Sequence, residues 1–181
     1  NSGATNLFDS NFFVMNSSFA VYKVIENDGA TASTVEPTST SNSIFETSDG
    51  YRWKYMYSLT SAETLNFMST DFIHVSTDST VSAAAVDGAL DTILVVSGGS
   101  SFNTSSGSTI SGIPIRGDGS GGVASVTISS GAITAATVTT AGSGYTFAYI
   151  RDADIIAATN AGGAGSGSNL NVIIPPKGGH G

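Results

Sequence analysis

Residue types that commonly perform catalysis are sparse in this chain of 181 residues. It holds two histidines, His74 and His180, and no cysteine, which excludes thiol nucleophiles, cysteine-ligated metals and disulfides. His74 stands beside Phe72 and Ile73 in an alternating stretch, where a lone histidine is typical of a structural residue. One Gly-Ser-Gly triplet, at 142–144, is followed by an aromatic residue and leads into a predicted strand. The nucleophile elbow of a hydrolase leads into a helix instead. We therefore predict no catalytic residues and no enzyme activity.

The glycine-rich stretch 117–122 could in principle bind phosphate or calcium. A phosphate loop would be followed by a helix that opens with Lys and Ser or Thr, whereas residues 123–128 have the composition of a strand. Calcium requires six to eight oxygen ligands, and the stretch supplies one carboxylate, Asp118, with Asp152 and Asp154 as distant candidates. We predict a turn between strands, with no metal site and no cofactor.

Composition and charge exclude two further classes of function. The chain carries 6 basic and 14 acidic residues, a formal net charge of −8, so it lacks the basic surface that nucleic-acid binding requires. No apolar run approaches the ~20 residues of a membrane-spanning helix. We expect neither a nucleic acid nor a membrane as a partner.

The two halves of the chain differ in composition. Of the 22 glycines, 3 precede Asp87, while 12 of the 16 aromatic residues do so. This change places a domain boundary near residues 79–88. We predict a first domain at residues 1–87, a second at 88–176 and a flexible tail at 177–181, and we expect the chain to be a fragment.

In the first half, apolar residues 12–15 and 19–25 flank a short polar stretch, which predicts a β-hairpin. Residues 26–46 lack periodicity and predict a long loop. Thr60 and Glu63 have the spacing of a capping box and predict one short helix that ends near Met68, and residues 72–75 predict a further short strand.

Residues 51–59 show the sharpest pattern of the sequence. Large apolar side chains alternate with mostly polar ones, which predicts a strand with five large side chains on one face: Tyr51, Trp53, Tyr55, Tyr57 and Leu59. Such a face either packs into a core or stacks on sugar rings in a carbohydrate-binding module. Burial is what alternation alone predicts, so we favour the core.

The second half contains an internal repeat. Residues 95–102 align with 138–145, and residues 117–128 align with 163–174. Each unit is predicted as a strand, a turn of glycine, serine and an aromatic residue, a strand, a glycine-rich loop and a strand. Positive φ is expected at four glycines, namely Gly98, Gly99, Gly142 and Gly144. Two such units predict a small, pseudo-symmetric β-domain rich in glycine, serine and threonine.

The segment at residues 48–59 resembles a signature of the baseplate wedge proteins of T4-like contractile-tailed phages. The resemblance rests on an Asp-Gly-Tyr followed by alternating aromatic residues, here Asp49, Gly50, Tyr51, Trp53, Tyr55 and Tyr57. It extends over about residues 10–80, and residues 172–181 are similar to the end of marine-phage relatives. Residues 88–170 have no counterpart in the T4 protein and are predicted as an inserted β-domain.

This resemblance implies a non-enzymatic virion protein of the tail baseplate. It implies a homodimer within the wedge and other baseplate or tail structural proteins as partners. The residues and the resemblance together predict an all-β, β-sandwich-like fold with one short helix. The alternative hypothesis is a glycan-binding adhesin or tail-fibre module, in which the repeat and the aromatic strand form the binding surface.

Overall fold

The structure is a computed structural model that describes residues 12–76, 78–102, 108–159, 164–175 and 177. Within these ranges the chain consists mainly of antiparallel strands with a few short helices, which confirms the predicted all-β fold. The described residues divide into two compact units, the first ending at Ser79 and the second beginning at Thr80. The division lies at the start of the stretch 79–88, earlier than the predicted boundary after Asp87. No helix among the described residues is long and apolar enough to cross a membrane.

The first unit contains a four-stranded sheet with the strand order β1-β2-β4-β3. Its strands are β1 (Phe13–Met15), β2 (Ala20–Asn27), β3 (Phe45–Glu46) and β4 (Tyr51–Ser58). The predicted hairpin is confirmed, because β1 pairs antiparallel with β2. A 3-10 helix (Asp28–Ala30) and a segment without helix or strand join β2 to β3. The predicted loop at residues 26–46 is shorter than expected, because residues 26–27 belong to β2 and residues 45–46 to β3.

The central strand β4 departs from simple alternation at one point. The pairing with β2 slips between Val21 and Tyr22, so that Val21 lies opposite Tyr57 and Tyr22 lies opposite Tyr55. Directly opposed residues share a face of the sheet, and Val21 and Tyr22 are consecutive. Tyr57 therefore lies on the opposite face from Tyr55. The prediction that all the rings of this strand share one face is wrong for Tyr57.

A short helix and an irregular segment follow the sheet. Helix α1 (Ser61–Phe67) begins with the predicted capping box, in which the Thr60 hydroxyl accepts a hydrogen bond from the Glu63 amide and the Glu63 carboxylate accepts one from the Thr60 amide. The predicted strand at residues 72–75 is wrong. These residues have irregular backbone and pair with no strand of the described sheet. Helix α2 (Ser79–Ala84), which the sequence analysis did not predict, buries none of its side chains.

Among the described residues, the second unit contains seven strands, one helix of its own and most of α2, which begins at the last residue of the first unit. The strands are β5 (Thr92–Ser100), β6 (Ser108–Pro114), β7 (Arg116–Gly117), β8 (Val123–Ser129), β9 (Ala132–Thr140), β10 (Ala148–Tyr149) and β11 (Ser166–Ile173), and the helix is α3 (Asp152–Thr159). They form the sheets β6-β8-β9, β11-β5 and β10-β7. The core contains Ile113, Ile128 and Ile155, which are fully inaccessible to solvent.

The two repeats of this unit exchange their strands. Strand β5, the first of repeat one, pairs with β11, the last of repeat two, and β9, the first of repeat two, pairs with β8, the last of repeat one. Equivalent hydrogen bonds cross between the repeats: the Phe102 amide donates to the Gly131 carbonyl at 3.0 Å and the Tyr145 amide donates to the Gly88 carbonyl at 3.2 Å. Each repeat thus completes a sheet of the other, so neither is expected to fold alone.

The aromatic residue that ends each turn is buried, with 3% of the surface of Phe102 and of Tyr145 exposed. Glycines of the loops allow this close packing. A Cβ at Gly165 would lie 2.3 Å from the Phe102 ring, and a Cβ at Gly119 would lie 2.5 Å from the Tyr145 ring. The glycine-rich loops are therefore packing surfaces for the two rings.

Two predictions for the repeats need correction. The middle element of the second repeat is α3 with the short β10 and not a full strand. Asp152 and Asp154 in its first turn favour a helix, and Ile155 anchors that helix in the core. Positive φ occurs at Gly99, Gly142 and Gly144 but not at Gly98. Gly98 is required for a different reason, because a Cβ there would lie 2.3 Å from the carbonyl oxygen of Ile133.

Candidate functional site

The carboxylate of Asp49, immediately before β4, fixes the loop in front of the sheet. It accepts hydrogen bonds from the Ser33 hydroxyl at 2.7 Å, the Thr34 amide at 2.8 Å, the Val35 amide at 3.0 Å and the Thr47 hydroxyl at 2.5 Å. These donors, the Thr47 hydroxyl above all, hold the pKa of Asp49 well below its usual range. These four hydrogen bonds make Asp49 a structural anchor for the loop.

Gly50 and Tyr51 extend this anchor. Gly50 has a φ of 81°, and a Cβ there would lie 2.8 Å from the side-chain carboxyl carbon of Asp28. The Tyr51 hydroxyl donates to the Thr31 carbonyl. Asp49 and Tyr51 of the phage-like signature therefore tie the segment at residues 31–35 to the sheet. Gly50 between them supplies the positive φ and the space beside Asp28 that the turn requires.

Trp53 lies in the core of the first unit, and Tyr51 and Tyr55 pack against that core, partly buried. Only 3% of Trp53 is exposed, and its indole N–H donates to the Thr47 hydroxyl at 3.1 Å. The Tyr51 ring stacks on Trp53 with 5.3 Å between the centroids, and the Tyr55 ring meets that of Tyr22 edge to face at 5.8 Å. The preference for core packing over a sugar-stacking surface is confirmed for Trp53.

Tyr57, on the other face of β4, makes a separate contact. Its hydroxyl donates to the main-chain carbonyl of His74 at 2.9 Å, which ties the irregular segment after α1 to the sheet. The His74 ring lies 5.0 Å from the Phe67 ring, measured between centroids. Both contacts are those of a structural residue.

A cleft of about 360 Å³ lies beside the hairpin turn. Residues 33–37 form one wall and the β1–β2 turn forms another, and Trp53 contributes to the lining. The Asn16 amide donates to the Pro37 carbonyl at 3.0 Å, and Glu36 accepts a hydrogen bond from the Ser17 amide at 2.6 Å. Glu36 is the one ionisable residue among those that line the cleft, so the cleft lacks the paired groups that acid–base catalysis needs.

Large apolar side chains are exposed in the part of the first unit that follows β4. We call the following four residues the exposed apolar segment: Leu65 at 85% exposure, Phe67 at 62%, Phe72 at 68% and Val75 at 62%. Helix α1, which carries two of them, has no buried residue at all. Exposed apolar side chains of this size, where they lie together, are typical of surfaces that bind other proteins.

The three candidate calcium ligands, Asp118, Asp152 and Asp154, each accept hydrogen bonds from a different set of protein groups. Asp118 accepts from the Thr146 amide at 2.9 Å and from its hydroxyl, whereas Asp152 accepts from the Gly167 amide at 2.9 Å. The Asp154 carboxylate forms ion pairs with Arg116 and Arg151. Across the described ranges, the structure contains no group of three or more residues suited to hold a metal ion.

Asp118 gives the second unit a measurable dependence on pH. Its hydrogen bonds, chiefly with Thr146, lower the pKa of Asp118 to about 2. Because the folded pKa lies below the unfolded value of ~3.9, the stabilisation is complete above that value and is lost as the pH falls towards 2. We expect the denaturation midpoint of this unit to fall between pH 4 and 2, and to fall less in Asp118→Asn. Equal acid sensitivity of the two proteins would contradict this.

One surface group of aromatic and arginine residues, around β7, β10 and the start of α3, was not predicted from the sequence. Phe147 and Tyr149 are exposed aromatic residues two positions apart, and Arg116 and Arg151 flank them in the structure. The alternation of Phe147, Ala148 and Tyr149 was a usable signal, since it places both rings on one side of a strand. The arginines come from distant parts of the chain, and no pattern in the sequence joins them.

Comparison with protein-family models, curated proteins and solved structures finds no match to this chain. The resemblance of residues 48–59 to phage baseplate wedge proteins therefore stays a prediction.

Proposed function

We propose that the protein is a non-enzymatic structural subunit of a virion, located in the tail baseplate and acting in wedge assembly. Its proposed partners are a second copy of itself and other baseplate or tail structural proteins. The observation that carries the proposal is the exposed apolar segment, which directly follows the phage-like signature. Exposure of Leu65, Phe67 and Phe72 to water is unfavourable in an isolated chain and is relieved by burial against a partner.

The signature residues support this role through what they do in the fold. Asp49 and Tyr51 immobilise the loop in front of the sheet, and Trp53 fills the core beneath it. The sheet in turn holds the apolar segment near His74 through the Tyr57 hydroxyl, and this restraint lowers the entropic cost of association. A subunit that works by contact alone needs this arrangement and needs no reacting group.

The location is tested on intact particles of the virus that encodes the chain. We expect mass spectrometry to detect the protein in purified virions and a density map to place both units in the baseplate. Density at the capsid, or at the tip of a distal fibre, would contradict the proposal. Absence of the protein from purified particles would contradict it as well.

The contact surface is tested by charge substitution. Leu65→Asp with Phe72→Asp should abolish co-purification with other tail proteins while leaving the melting temperature nearly unchanged, because both side chains are exposed. Val96→Asp is the matched control, since Val96 is 61% exposed and lies in the second unit. Co-purification of the double variant at the level of the control would show that the segment is not the contact.

The alternative, a glycan-binding adhesin or tail-fibre module, loses the platform that the sequence suggested, because Trp53 is buried. A different surface, in the second unit, carries two exposed aromatic rings, Phe147 and Tyr149, and favours a glycan-binding role independently of Trp53.

A further inference from the structure

The second unit presents two parallel aromatic rings to solvent. Phe147 is 56% exposed and Tyr149 is 45% exposed, and their rings are 6.5 Å apart with an angle of 2° between the planes. Ala148 between them packs against the core of the unit, which directs its two neighbours outward. Stacking covers part of each ring, yet about half of each side chain remains in contact with water, so the pair offers an apolar surface to a ligand.

The backbone that carries the rings is held in place by two carboxylates. Asp118 accepts hydrogen bonds from the Thr146 amide at 2.9 Å and the Phe147 amide at 3.2 Å. Tyr149 pairs with Arg116 across β10 and β7, and Arg116 donates to Asp154 at 2.8 and 3.1 Å. The rings therefore sit on a pre-organised support, and a ligand need not order the loop on binding.

Two guanidinium groups border the ring pair. Arg116 and Arg151 each direct Nε and Nη2 at Asp154, whose side chain is 10% exposed, while their own side chains are 44% and 53% exposed. Because a guanidinium group is planar, the Nη1 edge of each points away from that carboxylate. Those edges and the Tyr149 hydroxyl offer hydrogen-bond donors at the margin of an apolar surface.

The local charge distinguishes between classes of ligand. Asp154 binds both arginines, Asp118 is two residues from Arg116, and Asp152 is next to Arg151. The surface therefore has no excess of positive charge. The chain as a whole has a net charge of −8. A phosphate backbone or a sulfated chain would be repelled. An uncharged ligand with flat apolar faces and many hydroxyl groups fits both the rings and the donors.

We propose that the surface formed by Phe147, Tyr149, Arg116 and Arg151 binds a neutral oligosaccharide, with the two rings stacking on pyranose faces and the guanidinium edges donating to hydroxyl groups. The proposal is independent of the baseplate assignment, since a virion protein of any location can carry such a site. It also differs from the glycan platform on Trp53, which the core packing removes.

The test uses the full chain and an array of neutral oligosaccharides of hexoses and N-acetylhexosamines, including cellohexaose, maltohexaose and chitohexaose. We expect saturable binding of at least one of them, with amide chemical-shift changes at residues 146–151 in NMR spectra. Phe147→Ala and Tyr149→Ala should each weaken the affinity by about tenfold or more, a loss of ~1.4 kcal/mol. Tyr149→Phe keeps the ring and should retain most of the affinity.

Phe13→Ala is the matched control, because it removes a ring that is 47% exposed from the first unit and should leave the affinity unchanged. Three results would overturn the proposal. They are the absence of saturable binding across the array, affinity that is unchanged in both alanine variants, and binding restricted to sialyllactose or to an oligothymidylate probe. The last result would assign the rings to an anionic ligand instead.

Discussion

Trp53→Ala should destabilise the first unit by about 3–5 kcal/mol, the range for truncation of a large buried aromatic side chain. Trp53 is 3% exposed, stacks on Tyr51 and donates a hydrogen bond to Thr47, so truncation removes packing and leaves a cavity. The measurement is the free energy of unfolding from denaturant titration followed by tyrosine fluorescence and circular dichroism. Typical domains have only ~5–15 kcal/mol in total, so this loss removes a large share of the stability of the unit.

Phe72→Ala serves as the control for this loss, since Phe72 is also a large aromatic residue but is 68% exposed. Its expected effect is within about 0.5 kcal/mol. Equal stability of Trp53→Ala and Phe72→Ala would mean that Trp53 is exposed in solution, and a sugar-stacking role for β4 would then have to be reconsidered.

Tyr145→Ala should destabilise the second unit by about 3–5 kcal/mol, and Tyr145→Phe by about 1–3 kcal/mol. The ring is 3% exposed against the glycine-rich loop, which explains the larger loss. The hydroxyl donates to the Ile115 carbonyl and accepts from the Gly122 amide, both at 3.1 Å. The conservative variant leaves both of these buried backbone groups without a partner.

Phe147→Ala is the matched control in this unit, because it removes a ring that is 56% exposed, two residues further along the chain. Thermal and denaturant unfolding should show it close to the unsubstituted protein. This outcome also matters for the saccharide experiment, since it separates a loss of binding from a loss of folding. A Tyr145→Ala protein as stable as Phe147→Ala would contradict the packing of the repeats.

The exchange of strands between the repeats adds a consequence for cooperativity. Because β5 pairs with β11 and β8 pairs with β9, damage to one aromatic turn loosens sheets that contain strands of both repeats. The second unit is therefore expected to unfold in one transition in the Tyr145 variants, with no separate transition for either repeat.

Features that depend on neighbours in the chain were predictable from the sequence. The hairpin at the start of the described region, the strand at residues 51–58 and the capped helix α1 all follow from alternation, turn composition and the spacing of Thr60 and Glu63. The equivalent places of Phe102 and Tyr145 followed from the offset between the repeats. In each case the determining interactions span only a few residues or recur at a fixed offset.

Tertiary structure decided the features that depend on partners far away in the chain. Tyr57 changes face because the pairing of β4 with β2 slips by one residue, and the period of two in the sequence cannot show such a slip. Residues 72–75 have the composition of a strand, yet they pair with no strand of the described sheet. Arg116 reaches Asp154 across 38 positions in the chain, and the sequence analysis treated that carboxylate as a calcium candidate. Local composition favours a type of structure, but which groups meet is set by the packing of whole strands and helices.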